Sequence, residues 1–318
     1  MSPRYLAVLV ALGAVWGSSF LFIKVVVDET SPMELATGRI VFGAAALAPI
    51  VWIRGFHLKG GPRVLRDLLV LAVCASAVPF VLISWAETHI DSGVASVLNS
   101  TMPLWTAVFA SAFLADEQLA PVTVMGLLAG FGGVAVLSGG DLTGLQRDSL
   151  LGDLAVVGAA ACYGVGAVFA RARLQIEDRV TISVVQLVLA GLVLVPALLA
   201  ADGAPTLDLS TKAWLAWITL GVVNTGLANV VYYWLIKHVG SIRTSLVTYI
   251  IPTVGLLLGA VVLDERLGIS ALFGAGLIVV GVAMVAGGSR LGLARTDLVP
   301  AHRSVAGDGV QPPTEAGP

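Results

Sequence analysis

Most of the stretch from Trp85 to Leu119 is written twice in this chain, and the duplication limits the fold more than any other feature. The first copy reads WAETHIDSGVASVLNSTMPLWTAVFASAFLADEQL, and the second, from Trp234, reads WLIKHVGSIRTSLVTYIIPTVGLLLGAVVLDERL. Trp85 and Trp234, His89 and His238, Ser92 and Ser241, and Pro103 and Pro252 are each 149 apart. After a one-residue slip inside the apolar run, Asp116-Glu117 and Asp264-Glu265 are 148 apart. Each copy has an aromatic helix end, a short polar loop, an apolar helix broken near its middle by Pro, and an acidic pair. The repeat also reaches the front of each half: Trp16 and Tyr163, Lys24 and Arg171, Arg39 and Gln186, and Pro49 and Pro196 are 147 apart. A period this long marks a duplicated half rather than a solenoid unit.

Composition sets the solvent. Hydrophobic residues make up 57% of the chain and charged residues 12%, against roughly 25% charged in a soluble domain. Mean hydropathy is +0.94. Such a chain cannot cover a water-facing surface, so its surface faces lipid. Ten apolar runs are long enough to span a bilayer: about Tyr5–Val27, Met33–Ile53, Asp67–Ala86, Gly93–Leu114, Pro121–Ser138, Leu150–Ala170, Val180–Ala201, Ala213–Ile236, Ile242–Leu263 and Gly268–Ala286. The first run is too long, and lacks the small-residue cleavage pattern, to read as a removed signal peptide. Net charge is -2 with no basic run, so nothing points to nucleic acid. Cys74 and Cys162 sit inside apolar runs and read as small packing residues. No metal-ligand spacing exists.

Basic residues set the orientation. With the N-terminus inside, Arg4, Arg54, Lys59, Arg63, Arg66, Arg171, Arg173, Arg179, Lys237, Arg243, Arg290, Arg295 and Arg303 fall on inner segments, and only Arg147, Lys212 and Arg266 on outer loops. That bias puts both termini in the cytoplasm. Five helices per half is an odd number, so the second half enters the membrane upside down relative to the first. The expected fold is therefore an all-α integral membrane protein of ten transmembrane helices in two inverted five-helix repeats. The first repeat is 1–142 and the second 143–286; 287–318 turns polar and rich in Gly and Pro, and reads as a disordered cytoplasmic tail. Inverted repeats are an architecture of secondary transporters, with the substrate near the midplane between the halves.

Two inverted five-helix repeats, a Trp-Gly-Ser-Ser-Phe run at 16–20 in the first helix and an acidic pair between the fourth and fifth helices of each half resemble the EamA-type family of the drug/metabolite transporter superfamily. The resemblance covers about 5 to 286. It implies a multi-pass protein of a prokaryotic plasma membrane that moves a small solute, many members exporting amino acids or other metabolites. It implies no cofactor, no metal and no catalytic residue. The partners expected are a small-molecule substrate and the lipid bilayer, without nucleic acid, and a homodimer is compatible with the fold.

The candidate pathway residues follow from the repeat. A Pro inside a helix lacks an N–H and pushes away the carbonyl four residues earlier. For Pro103 and Pro252 those carbonyls belong to Asn99 and Thr248. In hydrocarbon a freed carbonyl needs a partner or a polar cavity. Asn99, Ser100 and Thr101 share one turn, as do Thr248 and Tyr249. The sharper reading is two kinked helices facing one another across a central pathway; the plainer one is a kink satisfied by its own Ser or Thr. Trp16 and Tyr163 lie near the middle of their runs, where an interfacial belt has no purpose, and Ser19 follows on a small-residue turn. Trp85, Tyr233 and Trp234 end their helices and read equally as interface anchors. Asn224 and Asn229 are amides in apolar surroundings, suited to interhelical hydrogen bonds or to substrate.

Two cations lie within the runs. Lys24 is near an outer helix end and can snorkel. Arg39 lies some six residues into the second helix, with Glu34 as a partner within reach, and Gln186 is its counterpart. Arg39 and Gln186 join the candidate pathway residues, with an outer gate or an anion contact as the functional reading of Arg39, and Lys24 and Glu34 are candidates for gating or charge. No GKS or GKT phosphate loop is present, so ATP use has no sequence support. No Asp or Glu falls in the middle third of a run. Glu34, Glu87 and Asp153 lie near run ends, so proton coupling would have to use an edge carboxylate. Competing functions are an exchanger of anionic, sugar-phosphate-like metabolites, an integral-membrane transferase, and a channel or membrane scaffold. A transferase acting on diphosphates would want clustered carboxylates for Mg²⁺, and the inverted repeat puts the two acidic pairs on opposite faces.

Overall fold

A computed structural model describes residues 3–54, 61–113, 120–139, 147–173, 179–239, 244, 247–248, 250–265 and 268–296. The described regular structure is helical, with no strand among the described residues. In chain order the helices are α1 (Pro3–Val27), α2 (Pro32–Arg54), α3 (Gly61–Ala72), α4 (Val78–Ala86), α5 (Ser92–Asn99), α6 (Met102–Phe113), α7 (Pro121–Gly139), α8 (Arg147–Arg173), α9 (Arg179–Ala201), α10 (Thr211–Thr219), α11 (Ala228–Val239), α12 (Ile250–Val262) and α13 (Ile269–Thr296). A π-helical turn, Val73–Ala77, joins α3 to α4, and another, Leu220–Leu227, joins α10 to α11.

Six stretches are long and apolar enough to cross a membrane: Pro3–Val27, Pro32–Ile53, Gly61–Ala86, Ser149–Ala170, Val180–Ala201 and Thr211–Tyr232. They match six of the ten runs read from the sequence. The other four runs are interrupted or keep only shorter apolar stretches among the described residues. The fourth breaks into α5 and α6, of 8 and 12 residues. The fifth, ninth and tenth keep apolar helices at Pro121–Val136, Ile250–Val262 and Leu272–Val285. At about 1.5 Å per residue α5, α6 and Ile250–Val262 are each too short to cover the roughly 30 Å hydrocarbon core, whereas α7, 19 residues long, and α13, 28 residues long, reach the length of a span. The helix α13 continues to Thr296, into the stretch whose composition suggested disorder.

The bundle carries apolar side chains outward, among them Leu128, Leu192, Leu257, Val261 and Trp52. Its interior is divided into several apolar clusters. The largest gathers Phe20, Ile23 and Val26 of α1 with Ile83 of α4, Leu98 of α5, Val156 of α8 and Trp217 of α10. Small residues set the closest approaches. Gly126 and Gly133 of α7 face the backbone of α13 at Gly281 and Gly274, where a Cβ would lie 2.7 Å from a carbonyl oxygen in either case. The 126–281 and 133–274 contacts run antiparallel, and the two glycines of each helix are 148 residues from those of the other. Cys74 and Cys162 are both free thiols.

Candidate functional site

The fourth run breaks where its proline lies. α5 stops at Asn99, Ser100 and Thr101 form a turn, and α6 restarts at Met102 with Pro103 as its second residue. There the absent proline N–H costs no helical bond, because the first turn of a helix has no acceptor for it. The hydroxyls satisfy local carbonyls: Ser100 Oγ donates to Val97 O at 2.6 Å and Thr101 Oγ1 to Leu98 O at 2.7 Å. Asn99 Oδ1 and Trp105 Nε1 are buried with no hydrogen-bond partner among the described residues. Trp105 escaped the sequence reading, although an aromatic two residues past a mid-run proline marks it. In the ninth run Val247 and Thr248 form a 3₁₀ turn and Pro252 is the third residue of α12. Thr248 is half-buried and Pro252 buried. Tyr249, the side chain of Tyr233, and Asp116-Glu117 lie outside the described residues.

Two hydrogen bonds link the second helix of each half to the π turn of the other. Arg39, 7% exposed in α2, donates from Nε to Thr225 Oγ1 at 2.7 Å. Its guanidinium lies over the Phe80 ring, 3.9 Å from the centroid, and Tyr163 and Glu87 are its titratable neighbours. Gln186 of α9 donates from Nε2 to Ser76 Oγ at 2.8 Å and, more weakly, to Ala75 O at 3.5 Å. The Ala75 carbonyl is the one that Pro79, four residues on, cannot bond, which leaves it free for Gln186. Thr225 in turn donates to Leu220 O, five residues back, at 2.9 Å, so its hydroxyl closes the wide π turn. π turns of this kind appear frequently at functional sites. The pairing of Arg39 with Glu34 expected from sequence is not made: a guanidinium spaced against the opposite half meets a hydroxyl and an aromatic face first. Glu34 is 4% exposed, its backbone N–H donates to Ser31 Oγ, and its carboxylate neighbours Thr206.

A third polar knot holds α1 to the second half. Asn224 Nδ2 donates to Ser18 Oγ and Ser19 Oγ, both at 3.1 Å, and to the Val15 carbonyl. Trp16 Nε1 donates to Asn224 O at 3.1 Å, and its ring lies 5.1 Å from Tyr232. Asn224 therefore serves interhelical bonding, and Trp16 and Ser19 belong to the same contact. Tyr163 of α8 packs against two core clusters at once; beside it Gly164 lies against Trp105. Asn229 is half-buried at the start of α11. The Trp85 and His89 rings lie 4.3 Å apart at 40° and the Trp234 and His238 rings 4.5 Å apart at 36°, so the repeated Trp-His pairs adopt one tilted geometry.

At one end of the bundle Lys24 does not snorkel into water. Its Nζ donates to the carbonyls of Glu87 at 2.6 Å and Ile90 at 3.4 Å. The same loop is gripped from the second half: Glu265 accepts the N–H of Ser92 at 2.8 Å and of Gly93 at 3.0 Å. A carboxylate on the first N–H groups of α5 is the favoured charge for a helix N-terminus. Below it α12 and α5 touch, Gly255 against Ser96 and Gly259 against Ser92. The short loops add Glu29, which accepts from Ser210 N at 2.7 Å and Ser210 Oγ at 2.6 Å at the start of α10. Those hydrogen bonds hold the Glu29 carboxyl below its usual range.

Two surface clefts are lined by aliphatic side chains, one of them by Ile40, Ala44, Leu187 and Gly191 between α2 and α9. They belong to the lipid-facing surface. No group of His, Cys, Asp and Glu able to hold a metal occurs among the described residues. Long apolar helices, interior polar side chains that cross between helices, and a helix interrupted within the bundle define a multi-pass membrane protein of the transporter class. The EamA-like transporter family model matches residues 4–139 and again 150–287, so the chain belongs to the EamA-like transporter family. It is similar to the uncharacterized transporter YoaV of Bacillus subtilis, 24% identical over 87% of this chain and 94% of the relative. It is also similar to the uncharacterized inner membrane transporter YedA of Escherichia coli, 26% identical over 92% of this chain and 94% of the relative. An uncharacterized transporter of Archaeoglobus fulgidus is 27% identical over 85% of this chain and 94% of the relative. One crystal structure shares the fold, with a TM-score of 0.64 at 19% identity, covering 90% of this chain and 98% of its own.

Proposed function

We propose that the chain is a secondary transporter that exports small metabolites, amino acids or related neutral and zwitterionic solutes. In this reading ten helices form two inverted five-helix repeats, 1–142 and 143–286, both termini are cytoplasmic, and the halves rock about a midplane site. The observation that carries it is the reciprocal pair of bonds, Arg39 to Thr225 and Gln186 to Ser76. The donors are 147 apart and the acceptors 149 apart. Equivalent positions reaching for each other's half is the contact an in-plane pseudo-twofold produces. The substrate pathway runs past the breaks at Asn99, Thr101 and Pro103 and at Thr248, Tyr249 and Pro252, with Trp105 and Tyr163 beside them.

A neutral or zwitterionic solute is favoured over an anion because both cations are engaged within the protein, Lys24 by two carbonyls and Arg39 by Thr225 and Phe80. Catalysis has no support in the described residues, and the relatives named above carry transporter names. Untargeted metabolite profiling of medium and cytosol, with and without expression, tests the reading: a small set of solutes should move outward. Unchanged profiles in both compartments count against it. Labelling of single cysteines placed at Asp116 and Asp264 tests the inversion, and a reagent reaching both from one side refutes it.

A further inference from the structure

The carboxyl of one buried ionisable residue, Glu87, makes none of the hydrogen bonds described so far. Glu87 is the first residue past the span Gly61–Ala86. It is 0% exposed, and neither carboxylate oxygen has a hydrogen-bond partner among the described residues. A buried carboxylate without donors is a costly arrangement, and such a group ordinarily takes a proton instead. The nearby ammonium does not relieve it, because the Lys24 hydrogen bonds go to the backbone carbonyls of Glu87 and Ile90.

The charged groups around Glu87 come from several elements. Lys24 faces it from α1, Asp28 from the turn beyond, Arg39 from α2 and Glu265 from the segment after α12. α8 packs on the same loop through Gly152, beside its Asp153, and His89 and Asp91 flank Glu87 on its own loop. Burial pushes the Glu87 carboxyl well above the usual carboxylate range, more than Lys24 pulls it down, and Glu265 adds to the push. Glu265 is also the group that ties the segment after α12 to the start of α5, through the N–H groups of Ser92 and Gly93.

We propose that the Glu87 carboxyl is a proton-binding site, and that one proton must bind there for the Glu265 end of the bundle to close. The step is simple: a Glu87 Oε takes a proton from water while that end is open, giving a neutral acid, and returns it on opening. Ionised, Glu87 would put a second negative charge beside Glu265 in a dry setting and drive the Glu265 carboxylate off the α5 amides. Neutral, it lets α5 and α12 meet at Ser96 and Gly255. The inference rests on the transport reading in one respect, that opening of this end is a step of the cycle, with protons as a second ligand of the protein.

The test reads conformation and protonation, so it is independent of any solute. Ser96→Cys in a chain whose Cys74 and Cys162 are replaced by Ala places a thiol at the α5–α12 contact. Its maleimide labelling is measured in nanodiscs at mildly acidic, neutral and alkaline pH, each rate divided by that of the unfolded protein at the same pH. We expect the ratio to rise about tenfold, a shift of about 1.4 kcal/mol, from acidic to alkaline pH. With Glu87→Gln it should stay low throughout, and with Glu87→Asp the pH response should return. Infrared difference spectra of the otherwise native chain should contain a carboxylic-acid C=O band at neutral pH that Glu87→Gln removes, which does not depend on the labelling variant. A ratio indifferent to pH, a Glu87→Gln response equal to that of the Glu87 protein, or no such band overturns the proposal. Unchanged metabolite profiles with the pH response intact would instead defeat the transport reading alone.

Discussion

Arg39 donates from Nε to the hydroxyl of Thr225 at 2.7 Å inside the bundle, in the π turn of the opposite half. A hydrogen bond to a charged group contributes about 1.5–3 kcal/mol, and more is lost when a buried charge keeps no partner. Thr225→Val removes the acceptor and nearly preserves the volume. It should destabilise the protein by about 2 kcal/mol. Ser76→Ala, which unpairs only the neutral Gln186 amide, should cost nearer the roughly 0.6 kcal/mol typical of interhelical bonds in membranes. Equilibrium unfolding in mixed detergent micelles measures both. Equal losses would mean that the guanidinium gains nothing from Thr225.

Glu265→Gln keeps the shape of the group but removes its charge and one of the two oxygens that accept Ser92 and Gly93 N–H. Anionic groups at a helix N-terminus are worth about 0.3–1 kcal/mol when exposed and up to roughly 2 when partly buried. The closed contact between α5 and α12 should weaken accordingly. Normalised labelling of Ser96→Cys at neutral pH should rise by a factor of about 5–30, as expected for a loss of one to two kcal/mol. An unchanged rate would show that the packing of Gly255 on Ser96 holds this end shut by itself.

Gly38 sits under the indole of Trp217, where a Cβ would lie 2.1 Å from Cζ2. The same indole donates from Nε1 to the Leu35 carbonyl at 2.9 Å. Gly38→Ala must displace the ring and lengthen that bond. Overpacking of this kind costs typically about 1–3 kcal/mol. Thermal unfolding in detergent should show a lower midpoint for Gly38→Ala, and Gly38→Ala combined with Trp217→Phe should recover part of it. No recovery would place the strain elsewhere.

The sequence discloses the helical class and the six long spans because composition and run length act locally. It discloses the break near Pro103 for the same reason: a missing N–H is a property of one residue. The partners of the interior polar groups were less legible. Arg39 has Glu34 five residues away in sequence, yet its bond goes to Thr225, 186 residues away. Nothing local distinguishes the two, because the choice depends on which helix packs against α2. Ser76 and Thr225 could have been found, since they repeat the offset of Trp85 and Trp234. Glu87 reads as a loop acid at a helix end, and only the packing of α1 and α8 around its loop makes it buried. The fourth run is split because Pro103 starts a new helix, α6, rather than bending an old one, and Pro252 likewise lies in the first turn of α12.

The last prediction concerns those prolines. Hypothesis: the break before Pro103, and the first turn of α12 at Pro252, shape the substrate pathway and do not serve packing alone. Pro103 is the second residue of α6, and the Asn99 carbonyl four residues earlier has no helical donor. Asn99 Oδ1 and Trp105 Nε1, on either side of the break, are buried without partners among the described residues. In hydrocarbon such groups are costly unless something else meets them, and a solute bound at the break would do so. Pro103→Ala supplies an N–H that can bond the Asn99 carbonyl and rejoin α5 to α6. Pro costs about 3 kcal/mol in a helix interior, so a continuous helix there would gain stability. If the break serves only packing, Pro103→Ala and Pro252→Ala should be as stable as the parent protein or more so, and transport should be intact. If it shapes the pathway, both should reach the membrane at parental levels and lose at least tenfold in rate, a barrier increase of about 1.4 kcal/mol. Asn99→Ala should raise the half-saturating concentration with little change in protein level. Counterflow of a labelled amino-acid mixture in proteoliposomes, at matched protein content, separates the two. Parental rates and affinities in all three variants would leave Asn99, Pro103 and Pro252 as structure alone.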